Sequence, residues 1–357
     1  MQANDHPAPA SAGIEVKQLD SGDGATVARW EAFVATAPAA TFFHRAGWQT
    51  LLRDVFRHRT CFLYAERNGS IVGVLPLAQI NSLLFGNALI ALPFAVYGGV
   101  VASDPTAITA LETEAERLAR EFGVAHLEYR NIEARHTDWP TQNLYVTFRK
   151  TILAEDEANL QAIPRKQRAM VRKGIKNGLR GEIDANADRF YALYADNVHR
   201  HGTPALPKRY FAALLREFGK DCEVITVVDT AGTPVSSVLS FYFRDEVLPY
   251  YAGDAARARA LAANDFKYWD LLCRARQRGL KVFDYGRSKV GSGSYSFKKN
   301  WGFEPQPLHY EYRLYRHDSI PQNNPNNPKY KLMIAAWQRM PLALANFLGP
   351  FIVRNLG

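Results

Sequence analysis

Apolar residues along this chain follow two rhythms, a helical one and an alternating one, and the two take turns. Trp48, Leu51, Leu52, Val55 and Phe56 share one helical face. Residues 60–66 alternate as a strand, Asn68-Gly69 is a hairpin turn and residues 71–80 form the return strand. An earlier strand is expected at 14–19, and later ones at 88–92 and 96–101. Asp104-Pro105 opens a helix carrying Leu111, Ala115, Leu118 and Phe122, which stops at Gly123 before a strand at 124–130.

The second half repeats the layout. Phe190, Leu193, Tyr194 and Val198 form one helical face, and Tyr210, Phe211, Leu214, Leu215 and Phe218 form another. Strands follow at 223–229, 235–243 and 247–252, then a helix with Phe266, Trp269, Leu272 and Cys273 that ends at Gly279, then a strand at 280–285. Gly123 and Gly279 are 156 residues apart, and so are Glu128 and Asp284. Helix, glycine and strand thus recur in register, which predicts a duplicated α/β (α+β) domain rather than two unrelated ones. The expected division is 14–155, 156–316 and a tail at 317–357.

Composition adds little to this frame. With 357 residues, two domains are the expectation, and 47% apolar content is ordinary for a folded protein. The net charge of +9 favours phosphates, nucleic acid or an anionic surface as partners. Three widely spaced cysteines make neither a disulfide framework nor a metal set, and the nine histidines show no ligand spacing. The first 13 residues lack a basic segment followed by an apolar core, so a cytoplasmic location is expected, with contact at the inner face of a membrane left open.

Charge is unevenly placed. From Ile163 to Arg180 there are seven cations and no acid; Arg165, Arg168, Arg172 and Lys173 are the candidates for binding an anion. Ile163, Val171, Ile175 and Leu179 are expected to hold this helix down and leave the cations outward, to clamp a nucleotide diphosphate, a lipid pyrophosphate or a tRNA backbone. A solvated basic helix is the plainer alternative. His201 and Thr203 follow a helix end and are candidate substrate contacts, although a histidine capping that helix is an equal account. Tyr251 ends a strand and is a candidate lining residue of an acceptor groove. After an Asn/Pro-rich linker at 321–328, Met333, Trp337, Met340, Leu344, Phe347 and Phe351 form an apolar stripe. Either it docks back on the first domain or it lies in a membrane interface.

The densest chemistry lies at 282–303: a strand with Asp284, a turn at Gly286, the cations Arg287 and Lys289, a Gly/Ser loop, and Phe297-Lys298-Lys299-Asn300-Trp301-Gly302. Ser294 or Ser296 is expected to cap a short helix that Gly302 ends. Cations at a helix start beside a loose loop suit an anion or a developing oxyanion.

This stretch, with Phe283-Asp284-x-Gly286 and Phe297-Lys298-x-x-Trp301-Gly302, resembles the C-terminal signature of the Fem family of acyltransferases, and is most similar to FemAB-like proteins of PEP-CTERM/exosortase and exopolysaccharide systems. The resemblance implies tandem GNAT-like domains with mixed, mainly antiparallel sheets. It further implies transfer of an amino acid or acyl group onto an amine of a peptidoglycan or exopolysaccharide precursor, with aminoacyl-tRNA or acyl-CoA as co-substrate and no tightly bound cofactor or metal. Lys298 falls on the family's Phe-Lys position and is expected to stabilise the oxyanion or a donor phosphate, with Phe297 and Arg287 as substrate contacts and Asp284 as proton acceptor or orienting group. The competing readings are an acetyl-CoA-dependent N-acetyltransferase and a non-catalytic binder of envelope polymers. Against acetyl-CoA, the nearest match to a pyrophosphate loop is Arg257-Ala-Arg-Ala260-Leu-Ala262, with Ala260 at the position of the central glycine.

Overall fold

A computed structural model describes residues 13–82, 86–316, 318–320 and 328–355. The chain forms two compact units: one runs up to Asn131 and includes Glu311–Ser319, the other holds Ile132–Tyr310 and Ile320–Gly357. The boundary therefore lies at 131/132 and not at 155/156, because the strand at Tyr145–Thr151 pairs inside the second unit's sheet.

The first unit opens with β1 (Ile14–Gln18), α1 (Gly24–Thr36) and α2 (Gly47–Asp54), then the hairpin β2 (Arg59–Arg67) and β3 (Ser70–Ser82). Asn68 and Gly69 both have positive φ, as a two-residue hairpin turn requires. Next come β4 (Gly86–Ala91), β5 (Val101–Ala102), α3 (Pro105–Glu121) and β6 (His126–Asn131). The side chain of Asp104 caps α3 by accepting from the Ala107 amide, and Pro105 sits in its first turn. The strand expected at 96–101 shrinks to β5. Residues 92–100 form instead a packed loop in which Leu92 and Phe94 have positive φ. Gly98 there lies so close to the Ala91 carbonyl that a Cβ would sit 2.2 Å from its oxygen.

The second unit runs β7 (Thr141–Gln142), β8 (Tyr145–Thr151), α4 (Asp156–Ala162), α5 (Arg165–Lys176), β9 (Arg180–Asp184), α6 (Asp188–Arg200), α7 (Lys208–Phe218), β10 (Cys222–Val228), β11 (Pro234–Phe243) and β12 (Glu246–Asp254). It continues with α8 (Ala258–Leu261), α9 (Ala263–Gln277), β13 (Val282–Asp284), β14 (Ser288–Lys289), α10 (Gly293–Asn300), β15 (Pro305–Pro307) and β16 (His309–Leu314), the last of which passes back into the first unit. Its sheet has the order β14-β8-β13-β12-β11-β10-β9, antiparallel except for the β12/β13 pair. Phe148, Val171, Val238, Trp269, Phe283 and Trp301 fill the core between this sheet and its helices.

The tail departs from expectation. Pro341 splits it into α11 (Pro328–Arg339) and α12 (Leu342–Val353), and both pack on α6 of the second unit rather than on the first. His199 Nε2 meets the Trp337 carbonyl at 3.0 Å, and Gln338 Nε2 donates to the Arg200 carbonyl at 2.9 Å. The face that packs is the small one, Ala345 and Gly349; Met333, Phe347 and Phe351 of the expected docking stripe are 65%, 67% and 58% exposed. Small residues permit the close helix contact that Phe would block. The linker before α11 lies outside the described residues, apart from Pro328.

Candidate active site

The site begins with a failure of pairing. β12 has nine residues, but only Glu246 and Val247 pair with β13; beyond them the two parallel strands separate. A bulge opposite Leu239/Ser240 gives β12 an extra residue, Tyr250, at the start of this gap. Strands that part in mid-sheet leave backbone groups on their facing edges free to meet a ligand. Sequence periodicity carries no trace of such a gap.

The β13 edge of the gap is Asp284-Tyr285-Gly286-Arg287, and Lys298 holds it. Lys298 Nζ donates to the carbonyls of Tyr285 (2.7 Å), Gly286 (3.0 Å) and Arg287 (3.1 Å). Its side chain is 8% exposed, and burial drops its pKa to about 7, against the attraction of Asp284 and with the help of Arg287. Two expectations fail here. The N-cap of α10 is Ser292, accepting from the Tyr295 amide, so the helix starts earlier than Ser294 and Lys298 lies in its last turn. The helix N-terminus thus has no part in its pKa, and its three donors are committed to carbonyls rather than presented to a ligand. Gly302 does end the helix with φ +79°.

Asp284 is wholly buried and accepts from the Gly286 amide (2.7 Å) and Arg149 Nη1 (3.2 Å). Arg149 also bridges to Glu246, whose pKa burial pushes up against the pull of that arginine. A sealed, ion-paired carboxylate has no access to an incoming amine, so Asp284 orients the strand end and does not act as the exposed proton acceptor. Phe297 is partly buried and packs edge-on and tilted among Tyr268, Tyr285 and Trp301, against the core. Arg287 is half-buried: its guanidinium lies 4.4 Å from the Tyr145 ring centroid, and Nη1 donates to the Tyr310 hydroxyl at 3.1 Å. Burial opposes its charge, but the surrounding tyrosines push its pKa above the ordinary arginine value.

Of the remaining candidates, Tyr251 shares a hydrogen bond of 3.1 Å with the Tyr210 hydroxyl, and burial raises both pKa values. His201 is exposed and its Nδ1 meets the Asn197 carbonyl of its own helix at 2.6 Å, which is the capping account. Thr203 is an exposed loop residue. On α5, Arg165, Lys166, Arg172, Lys173 and Lys176 are exposed and Arg168 is half-buried; among the described residues none has a side-chain hydrogen bond or ion pair. Ile175, expected to anchor this helix, is 48% exposed. Ile163, Val171 and Leu179 are buried as expected, and Gly174 adds a close approach, with its Cα against Phe266 and the Ala262 carbonyl at the start of α9.

Several residues escaped the sequence reading. Lys267 is wholly buried on α9 and bonds Asp254 at 2.9 Å; burial alone would lower its pKa, but Asp254 and nearby groups raise it. Asp254 also accepts from Ser236. Asp265 is raised by burial, while accepting from the Trp301 indole (2.9 Å) and Gln167 (3.2 Å). Trp301, conspicuous in the Phe-Lys-x-x-Trp-Gly run, was the available pointer to Asp265. On the α6 face, an open groove of about 590 Å³ lies beside the end of β12, lined by Asp188, Arg189, Ala192, Leu193, Asp196, Pro234, Ala255 and Ala256. Among the described residues no cluster of potential metal ligands occurs, and no helix is long and apolar enough to cross a membrane.

Residues 165–299 match the family model described as "Acetyltransferase (GNAT) domain". No curated protein sequence matches the chain. Among solved structures, FemX is similar with a TM-score of 0.65 and 14% identity, over 85% of this chain and 98% of that one. The C-terminal domain of a putative lysylphosphatidylglycerol synthetase from Agrobacterium fabrum follows with a TM-score of 0.55 and 13% identity, over 82% and 91% of the two chains. A tandem GNAT protein from the clavulanic acid biosynthesis pathway aligns with a TM-score of 0.52 and 14% identity, over 86% and 100%. The fold is therefore a tandem GNAT fold, Fem-like in layout. The protein is an N-acyltransferase of the GNAT type, with the matched domain in its second unit.

Proposed function

We propose that the protein transfers an acyl or aminoacyl group from an anionic donor onto an amine of a cell-envelope precursor, peptidoglycan or exopolysaccharide, in the cytoplasm, as a FemAB-like enzyme of the PEP-CTERM-associated kind. The observation that carries the reading is the pairing of an opened strand edge with a helix whose cations have no partner among the described residues, both on one unit. In the reaction the amine nitrogen bonds the donor carbonyl carbon through a tetrahedral oxyanion. The bond to the donor's oxygen or sulfur then breaks, and the amine gives up a proton. The open edge of β12 offers backbone donors for the oxyanion. Lys298 and Asp284 act as positioning residues, holding residues 284–287 in place across the gap. Arg165, Arg168, Arg172 and Lys173 hold the phosphates of the donor, aminoacyl-tRNA being favoured, and the groove on α6 receives the acceptor.

One observation bears on the acetyl-CoA alternative. The segment at the pyrophosphate-loop position is helical in α8 and closes with Ala262 at φ +58°, and Gly174 of α5 packs over the Ala262 carbonyl. The amides of this segment are already used, Ala260 and Leu261 donating to the Arg257 carbonyl and Ala262 to that of Arg259, which leaves few for a diphosphate. Calorimetry with coenzyme A, and mass-spectrometric detection of transfer from aminoacyl-tRNA to a UDP-linked muropeptide, test the proposal. Weak or absent coenzyme A binding with aminoacyl transfer is the expected result. Low-micromolar coenzyme A affinity with acetyl transfer overturns it in favour of the acetyl-CoA enzyme.

A further inference from the structure

The tail's second helix is apolar on both of its sides. Between Leu342 and Val353, Asn346 is the one polar residue. Its inner side is buried through Ala345 and Gly349, whose Cα lies so near Ala205 that a Cβ would stand 3.1 Å from that carbonyl oxygen. The outer side exposes Leu344, Phe347 and Phe351, with the two rings 6.0 Å apart, and Met333 is exposed on α11. Among the described residues, five of the nine exposed large hydrophobic residues belong to α11 and α12, so the exposure is a patch and not scatter. A helix without a polar side has no face suited to water.

The charge around the patch selects its occupant. From Ile320 to Gly357 there are four cations, Lys329, Lys331, Arg339 and Arg354, and no acid. Two copies meeting through this face would bring cation-rich, acid-free tails together, whereas an anionic lipid surface complements them. Twelve residues of helix extend about 18 Å, well short of the roughly 30 Å of bilayer hydrocarbon, so the helix lies along a membrane and does not cross it.

We propose that α12, aided by Met333, docks the protein on an anionic bilayer by inserting Leu344, Phe347 and Phe351 at the level where headgroups meet acyl chains. The docked tail is fixed to α6, which also packs on β11 and β12, so docking sets the orientation of the unit that carries the strand gap. The inference is independent of the donor and acceptor proposed above.

The test is co-sedimentation of the full chain with vesicles of phosphatidylcholine alone and of phosphatidylcholine with phosphatidylglycerol. The wild type should pellet with the anionic vesicles, and Phe347→Ser/Phe351→Ser should lower the partition coefficient at least about tenfold with an unchanged melting temperature. Should that variant melt early, Phe347→Trp supplies a second reading: its difference fluorescence should shift to the blue when anionic vesicles are added. A wild type that stays in the supernatant overturns the proposal, as does a serine variant that pellets equally or a tryptophan whose emission does not move. So does a lipid-free wild-type dimer that the serine variant makes monomeric, which would identify a second copy as the occupant.

Discussion

Lys298 and the cations of α5 are the same kinds of residue in opposite circumstances. Lys298 is nearly sealed, spends its donors on three carbonyls and has its pKa brought down to about 7. Arg165, Lys166, Arg172 and Lys173 stand in solvent with no partner among the described residues. The buried cation stabilises the shape of the site because one amine bonds three successive carbonyls of the strand end. The exposed ones do nothing for the fold, and like charges at this spacing cost it a little. A cation's contribution to architecture and its availability to a ligand are thus in opposition, and burial decides between them.

Four measurements would break or sharpen this contrast. The largest effect is expected from Lys298→Ala, which strands three carbonyls and should cost about 3–5 kcal/mol in urea unfolding, with turnover falling alongside. An unchanged unfolding midpoint would put Lys298 among the ligand-facing cations after all. Next, Arg165→Gln/Arg168→Gln/Arg172→Gln/Lys173→Gln should weaken calorimetric binding of tRNA or pyrophosphate roughly 100-fold at fixed low salt. Its stability should stay within about 0.5 kcal/mol of the wild type. Unaltered affinity would reduce α5 to a solvated helix.

The third effect concerns pH. The folded pKa of Lys298 is about 7 and its ordinary value 10.5, so between these limits the unfolded chain binds the extra proton. Stability from this group is therefore complete above pH 10.5, falls as pH drops, and is lost below about 7. Wild type should accordingly gain up to about 1.4 kcal/mol per pH unit relative to Lys298→Met across that window. Parallel pH profiles for the two proteins would contradict the buried charge. Smallest of all, Lys299→Ala removes an exposed neighbour and should change stability by less than about 0.5 kcal/mol.

Much of the fold was legible because local signals coincide with it. The Asn68-Gly69 hairpin, the Asp104-Pro105 helix start and the matched stops at Gly123 and Gly279 are short-range choices, and each is where the sequence placed it. What escaped was non-local. Nothing within 145–151 says that this strand pairs with β13, β14 and β15, more than 130 residues away. The same limit explains the site. Phe297-Lys298-x-x-Trp301 was conspicuous as a motif, but whether Lys298 faces a ligand or three carbonyls depends on burial by β8, β13 and α9. Asp265 and Lys267 carry no local signal of burial, and only the packed structure reveals that both are inside. The tail's apolar spacing was correct in period, while the choice of packed face went to the smaller residues, which spacing does not weigh.

The excursions of the chain between its units bear on what can be cut from it. Residues 165–299 share a recognisable sequence with other acetyltransferase domains, yet that segment omits β8, which lies inside the sheet between β13 and β14 and also holds β15. It equally omits β15 itself and the strand that carries the chain home to the first unit. A fragment trimmed to the shared segment would expose the flank of β13 and strand Arg149's partners Asp284 and Glu246 without their cation. The unit of inheritance and the unit of folding are therefore different lengths of chain here. Residues 165–299 expressed alone should therefore fail to show a cooperative unfolding transition.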